Sequence, residues 1–126
     1  MTPPNATTVL QHLDWSAVPV EIVAEGVARQ IVHGDRIMVC RLTIAAHTVT
    51  PIHSHIHEQI TLVERGRADF FVDGEPRAAR AGDVLVFPSN SLHGATMLDE
   101  EVVLIDIFSP LREDFLPRHG APGDQR

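Results

Sequence analysis

PIHSHIHEQITLVERG, Pro51 to Gly66, sets His53, His55, His57 and Gln59 on alternate positions ahead of a glycine. If the segment is one extended strand, side chains at every second position share a face. A short piece of backbone then offers three imidazoles and an amide oxygen to one space. Imidazole suits zinc, copper, nickel and iron. The plain alternative is a histidine-rich surface turn, and a second stretch counts against it. In Gly82 to His93, GDVLVFPSNSLH, a glycine opens an apolar strand, Pro88 ends it, and one histidine follows a short polar loop.

The rest of the chain has a β rhythm. Met38, Cys40, Leu42 and Ile44 alternate with Ile37, Val39, Arg41 and Thr43, and Ile60 to Val63, Ala68 to Val72 and Val84 to Phe87 are short apolar runs set off by Gly, Pro or Asp. Asp73-Gly74 is a hairpin signal, because a type I′ turn needs positive φ at both central residues. Val18 to Ala24 and Val27 to His33 flank Glu25-Gly26 as an earlier hairpin, and His33-Gly34-Asp35 marks the turn after it. No stretch of about 12 residues has helical periodicity. Many short, evenly spaced strands read as a sandwich or barrel. Thr2 to Leu10 is expected to be an arm and Pro117 to Arg126 a frayed tail.

Composition sets limits. The 126 residues fit one domain able to bury a core without disulfides. The one cysteine, Cys40, falls in an apolar alternation and is expected in the core, and the absence of a pairing partner points to a reducing compartment. With neither an export signal nor about 18 consecutive apolar residues, the expectation is a soluble, cytoplasmic protein without membrane contact. A net charge of −7, 17 acidic against 10 basic residues, opposes nucleic-acid binding. One tryptophan and no tyrosine leave little for base stacking.

A further informative strand is Glu101 to Phe108. Val102, Leu104, Asp106 and Phe108 share one face, and Val103, Ile105 and Ile107 the other. An aspartate among apolar neighbours is expensive to bury ionised unless it is paired. Two readings follow: Asp106 caps a turn or pairs with an arginine such as Arg112, or it is a general acid or base with a shifted pKa. Pro110 turns the chain, so that Arg112 can return to the same mouth.

Together the two histidine stretches resemble the motifs of the cupin superfamily. The first motif, G(x)5HxH(x)3,4E(x)6G, is followed by His53, His55, Gln59 and Gly66, with Gln59 in place of glutamate and His47 where the leading glycine falls. The second, G(x)5PxG(x)2H(x)3N, is met by Gly82, Pro88 and His93, with Asn90 and Met97 as departures. Asn90 is a mild one, because Asn tolerates the left-handed conformation. The resemblance implies an all-β double-stranded β-helix, or jelly-roll barrel, and a homodimer. Asp106 to Phe115, DIFSPLREDF, with GVARQIVHGDRIMV and HSHIHEQI, is similar to the KdgF-like cupins of pectin and alginate breakdown, over a core of about residues 15–115.

That closer resemblance implies a divalent metal, one per chain (Ni, Zn, Mn or Fe), on His53, His55, Gln59 and His93, with Asp106, Phe108 and Arg112 serving the substrate. The activity implied is ring opening of a 4,5-unsaturated uronate to a linear keto acid. Leu62 stands where relatives often carry an aromatic residue lining the cavity, and Leu111 replaces a second proline. The expected ligands are all neutral, which favours a Lewis-acid role over oxygen activation. Glu58 faces away from Gln59 on a strand. His57 belongs at the second shell or the pocket rim, His12, His33 and His119 on the surface, and His47 near the barrel mouth without a role. The rival readings are a dioxygenase of a diketone or small aromatic, and a non-catalytic sugar-acid-binding module.

Overall fold

A computed structural model of the protein describes residues 9–117. Ten strands form two antiparallel sheets: β1 (Glu21–Ala24), β2 (Val27–His33), β3 (Met38–Ile44), β4 (Val49–His53), β5 (Glu58–Arg65), β6 (Arg67–Val72), β7 (Glu75–Arg80), β8 (Val84–Phe87), β9 (His93–Met97) and β10 (Val102–Ser109). The sheet orders are β1-β2-β3-β10-β5-β8 and β4-β9-β6-β7. Among the described residues the helical content is two single-turn 3₁₀ segments, Trp15–Ala17 and Glu113–Phe115. This is the all-β barrel expected from the strand rhythm, in the jelly-roll form that the resemblance implies. The expected arm and tail lie mostly outside the described residues, as does His119.

The turns follow their residues. Asp73 (φ 49°) and Gly74 (φ 85°) are both left-handed between β6 and β7, as the I′ reading requires, and Asn90 (φ 67°) occupies that region too. His47, where the family glycine falls, has φ 63°. The position asks for a left-handed residue, which explains why glycine is usual there.

Alternation builds the core. On β10, Val102, Leu104, Asp106 and Phe108 are all buried, as expected of one inward face. Ile44, Val63, Phe70, Phe87, Met97, Val102 and Leu104 belong to one apolar cluster, and Met38, Cys40 and Phe108 form a second, packed by Ile31, Leu111 and Phe115. Between the clusters, the inner face carries polar groups instead: Gln59 and Thr61 on β5 and Asp106 on β10. Another buried polar residue, Gln30, serves the fold by fastening the incoming segment across β2, its Nε2 donating to the carbonyls of Trp15 (2.7 Å) and Val18 (3.0 Å).

One expectation fails. Pro51 to Gly66 is not a single extended strand: β4 ends at His53 in the four-stranded sheet and β5 begins at Glu58 in the six-stranded one. Residues 54–57 cross between the sheets, so the every-second-residue rule lapses there and does not put His57 on a shared face with Gln59.

Candidate metal centre and cavity

His53 ends β4 and pairs in register with His93 at the start of β9, while His55 sits on the crossover and Gln59 one residue inside β5. Four ligand candidates therefore arrive from three strands and a loop rather than from one strand. His53, His55 and His93 each bring a ring nitrogen within 4.8 Å of the others. Each ring is held through Nδ1 by a backbone carbonyl: Pro51 for His53 (2.9 Å), His57 for His55 (3.0 Å) and Ser91 for His93 (3.0 Å). A carbonyl only accepts, so Nδ1 carries the proton and Nε2 is left as a lone pair. Anchoring of this kind fixes the tautomer that a metal requires.

Two contacts fit a cation at the centre. The Nε2 of His93 is buried and has no hydrogen-bond partner among the described residues. The Nε2 of His55 lies 3.0 Å from Oε1 of Gln59, whose amide nitrogen is occupied in donating to Oγ1 of Thr61 (2.9 Å). Two lone pairs facing each other are unfavourable alone and favourable around a shared positive ion. Burial pushes the pKa of His93 down to about 4 and also lowers that of His55, where the charge of Arg112 adds to the effect. Both rings are thus neutral at physiological pH and ready to ligate. The ring of Phe87 stacks on His93 with centroids 4.6 Å apart.

From Gln59 a hydrogen-bond chain runs on to the expected acid or base, since Oγ1 of Thr61 donates to Oδ1 of Asp106 at 2.7 Å. Burial pushes the Asp106 carboxyl up to about 6, against the opposing effects of the Thr61 hydroxyl and the Arg112 charge. The reading in which Asp106 forms an ion pair with Arg112 fails. Arg112 is instead gripped by Asp114, with Nε donating to Oδ1 (3.0 Å) and Nη2 to Oδ2 (2.9 Å), which holds the Asp114 carboxyl below its usual range. The guanidinium also lies 5.1 Å from the Phe108 ring centroid and 4.1 Å from that of Phe115. His53, Gln59, His93, Asp106, Phe108 and Arg112 all line one cavity of about 200 Å³ inside the barrel.

The cupin domain model matches residues 40–108, more than half of the chain. The chain belongs to the cupin family. It is 38% identical to the pectin degradation protein KdgF of Dickeya dadantii (strain 3937) over 100 residues, 78% of this chain and 91% of that protein. Among solved structures it is similar to KdgF from Halomonas sp., with TM-score 0.82, 30% identity and coverage of 86% of this chain and all of that one. A cupin described as RmlC-like, from Shewanella frigidimarina NCIMB 400, follows at TM-score 0.79 and 29% identity, covering 85% of this chain and 97% of that one.

Several features of this cupin site escaped the sequence reading. Thr61, the link between Gln59 and Asp106, was readable in principle from its parity with Gln59 on β5. Leu62 has the opposite parity, pairs with Val84 and Ile105, and is not among the residues lining the cavity, so its aliphatic side chain does not reshape it. Arg29 and Phe115 do line it. Glu58 is exposed while Gln59 is buried, as strand parity demands. His57 is half-buried beside His55, with ring centroids 5.4 Å apart, and contributes its backbone carbonyl. His12 and His47 are exposed, and His33 is half-buried rather than on the open surface.

Proposed function

We propose that this cupin is a metal-dependent enzyme that opens the ring of a small 4,5-unsaturated uronate. The observation that carries the reading is the continuous line from the imidazole cluster through Gln59 and Thr61 to Asp106, on the wall of one cavity. It joins a cation site to a proton-carrying group. The likeness to a protein named for pectin degradation supports the substrate class.

In this reading His53, His55, His93 and the Gln59 oxygen hold one divalent ion. All four groups are neutral, so a divalent ion held there would supply its full charge for polarising a substrate oxygen. Arg112, fixed by Asp114, offers its remaining nitrogen to a substrate oxygen, and Phe108 forms the apolar wall against the sugar. Asp106 moves the proton. Opening the ring breaks the bond between the anomeric carbon and the ring oxygen. One proton leaves the anomeric hydroxyl, an aldehyde forms, and one proton reaches the carbon of the former double bond as the enol becomes a ketone. No oxidant enters and the product is an isomer of the substrate. A positioned acid or base group contributes about 10²–10⁴-fold to such a step.

The test is decay of the unsaturated uronate absorbance above its spontaneous rate. The protein as purified should accelerate the decay, a chelator should abolish the acceleration, and restored divalent metal should return it. A uronate that binds with no acceleration under any metal would favour the binding-module reading instead.

A further inference from the structure

On β2 the inward stripe reads Val27, Arg29, Ile31. Val27 packs on the first apolar cluster and Ile31 on the second, so Arg29 interrupts an otherwise apolar stripe; its register partners are Leu42 and, beyond it, Leu104, one inward step along from Cys40 and Asp106. Its neighbour Gln30 faces the other way and holds the incoming segment. Arg29 is only 14% exposed at its side chain and lines the cavity together with Arg112. Its guanidinium stands 4.2 Å from the centroid of the Phe115 ring, the same ring that Arg112 approaches at 4.1 Å. Two guanidinium groups thus converge on one phenyl ring at the mouth of the site.

Their forks are not equally engaged. Arg112 spends Nε and one Nη on Asp114. Arg29 spends only Nε, at 3.3 Å, on Glu21, whose side chain is 47% exposed. Among the described residues no carboxylate takes the terminal pair of Arg29. A planar pair of N–H groups with no anionic partner, in a water-poor layer beside a second cation, is a site for a carboxylate held at two points.

We infer that Arg29 is the residue that grips the carboxylate of the substrate, with Arg112 adding a single contact. The inference rests on the proposed uronate reading and sharpens it, since it names which group of the uronate is recognised and where. Glu21 then acts as a placeholder that keeps the guanidinium oriented until a ligand carboxylate arrives. Hydrogen bonds to charged groups contribute about 1.5–3 kcal/mol, or roughly 10–150-fold in affinity.

Titration calorimetry on the metal-loaded protein, with galacturonate and its uncharged methyl ester as probes, tests this. The wild type should prefer the acid to the ester by at least about tenfold. Arg29→Gln should remove most of that preference while leaving ester affinity and metal content unchanged. Arg29→Lys, which keeps the charge and the contact with Phe115 but not the fork, should also lose about tenfold for the acid, and so guards against a variant that merely folds poorly. Wild-type protein that binds neither probe, or both equally, overturns the uronate reading and this inference with it. A wild-type preference that survives intact in Arg29→Gln overturns the inference alone.

Discussion

Asp106 is buried on a barrel strand without an ion-pair partner among the described residues, and such a group is costly unless it has a task or a neutralising proton. Asp106→Asn keeps the shape and the acceptor for the Thr61 hydroxyl but carries no exchangeable acid proton. Turnover is expected to fall at least about a hundredfold, with metal content and melting temperature near those of wild type. A purely structural Asp106 would give the reverse, a lower melting temperature with activity falling only as the folded fraction does. Asp106 was legible as an anomaly because a charge interrupts an apolar alternation. The same signal at Arg29, between Val27 and Ile31, is harder to read because the other face of β2, Ala28, Gln30 and Val32, is also apolar broken by one polar residue, so the sequence does not say which face turns inward. The Arg112–Asp114 grip was not legible, since it depends on a turn whose geometry no periodicity encodes.

Cys40 offers a cleaner residue-scale probe. Burial pushes its thiol up to about 12, reinforced by the negative charge of Asp106. The ten basic residues are all arginine and there is no tyrosine, so Cys40 is the one side chain that titrates between pH 9 and 12. In that window the unfolded thiol has lost its proton and the folded one keeps it, so stability falls as pH rises, by up to about 1.4 kcal/mol per unit. Urea midpoints measured from pH 9 to 11 should slope downward in the wild type and lie nearly flat in Cys40→Ala. Equal slopes would contradict a buried, protonated thiol.

At the scale of elements, β5 decides the site. Its parity turns Gln59 inward and Glu58 outward, and that much followed from the sequence because a strand has a fixed period of two. The break at residues 54–57 did not follow, because a change of sheet leaves no mark in a run of alternating histidines. The consequence is testable. His53→Ala and His93→Ala should lose most of the bound metal, whereas His57→Ala should keep it, since the group that anchors His55 is the backbone carbonyl of residue 57. Elemental analysis of the three variants settles the order. Gly66 follows the same strand at φ 83°, and a Cβ there would stand 2.6 Å from the carbonyl oxygen of Glu101 and 2.9 Å from Val102 Cγ2. Gly66→Ala is expected to cost about 2–3 kcal/mol in chemical denaturation, with no direct effect on the ligands.

For the whole molecule, the two sheets act as a frame that brings distant residues to one cavity: His53 and His93 from the four-stranded sheet, Gln59, Asp106 and Arg29 from the six-stranded one. The barrel was readable because turn residues and short strands repeat evenly. The shape of the cavity was not, because it depends on how the inner faces of the two sheets meet. The proposed isomerisation, rather than oxygen chemistry, is what a neutral donor set joined by a hydrogen-bond chain to a buried carboxyl would suit. The most direct measurement is turnover of a 4,5-unsaturated uronate under argon, followed by absorbance and by product mass. We expect full activity without oxygen and a product equal in mass to the substrate. Activity that appears only when oxygen is admitted, with oxygen atoms gained by the product, would contradict the account.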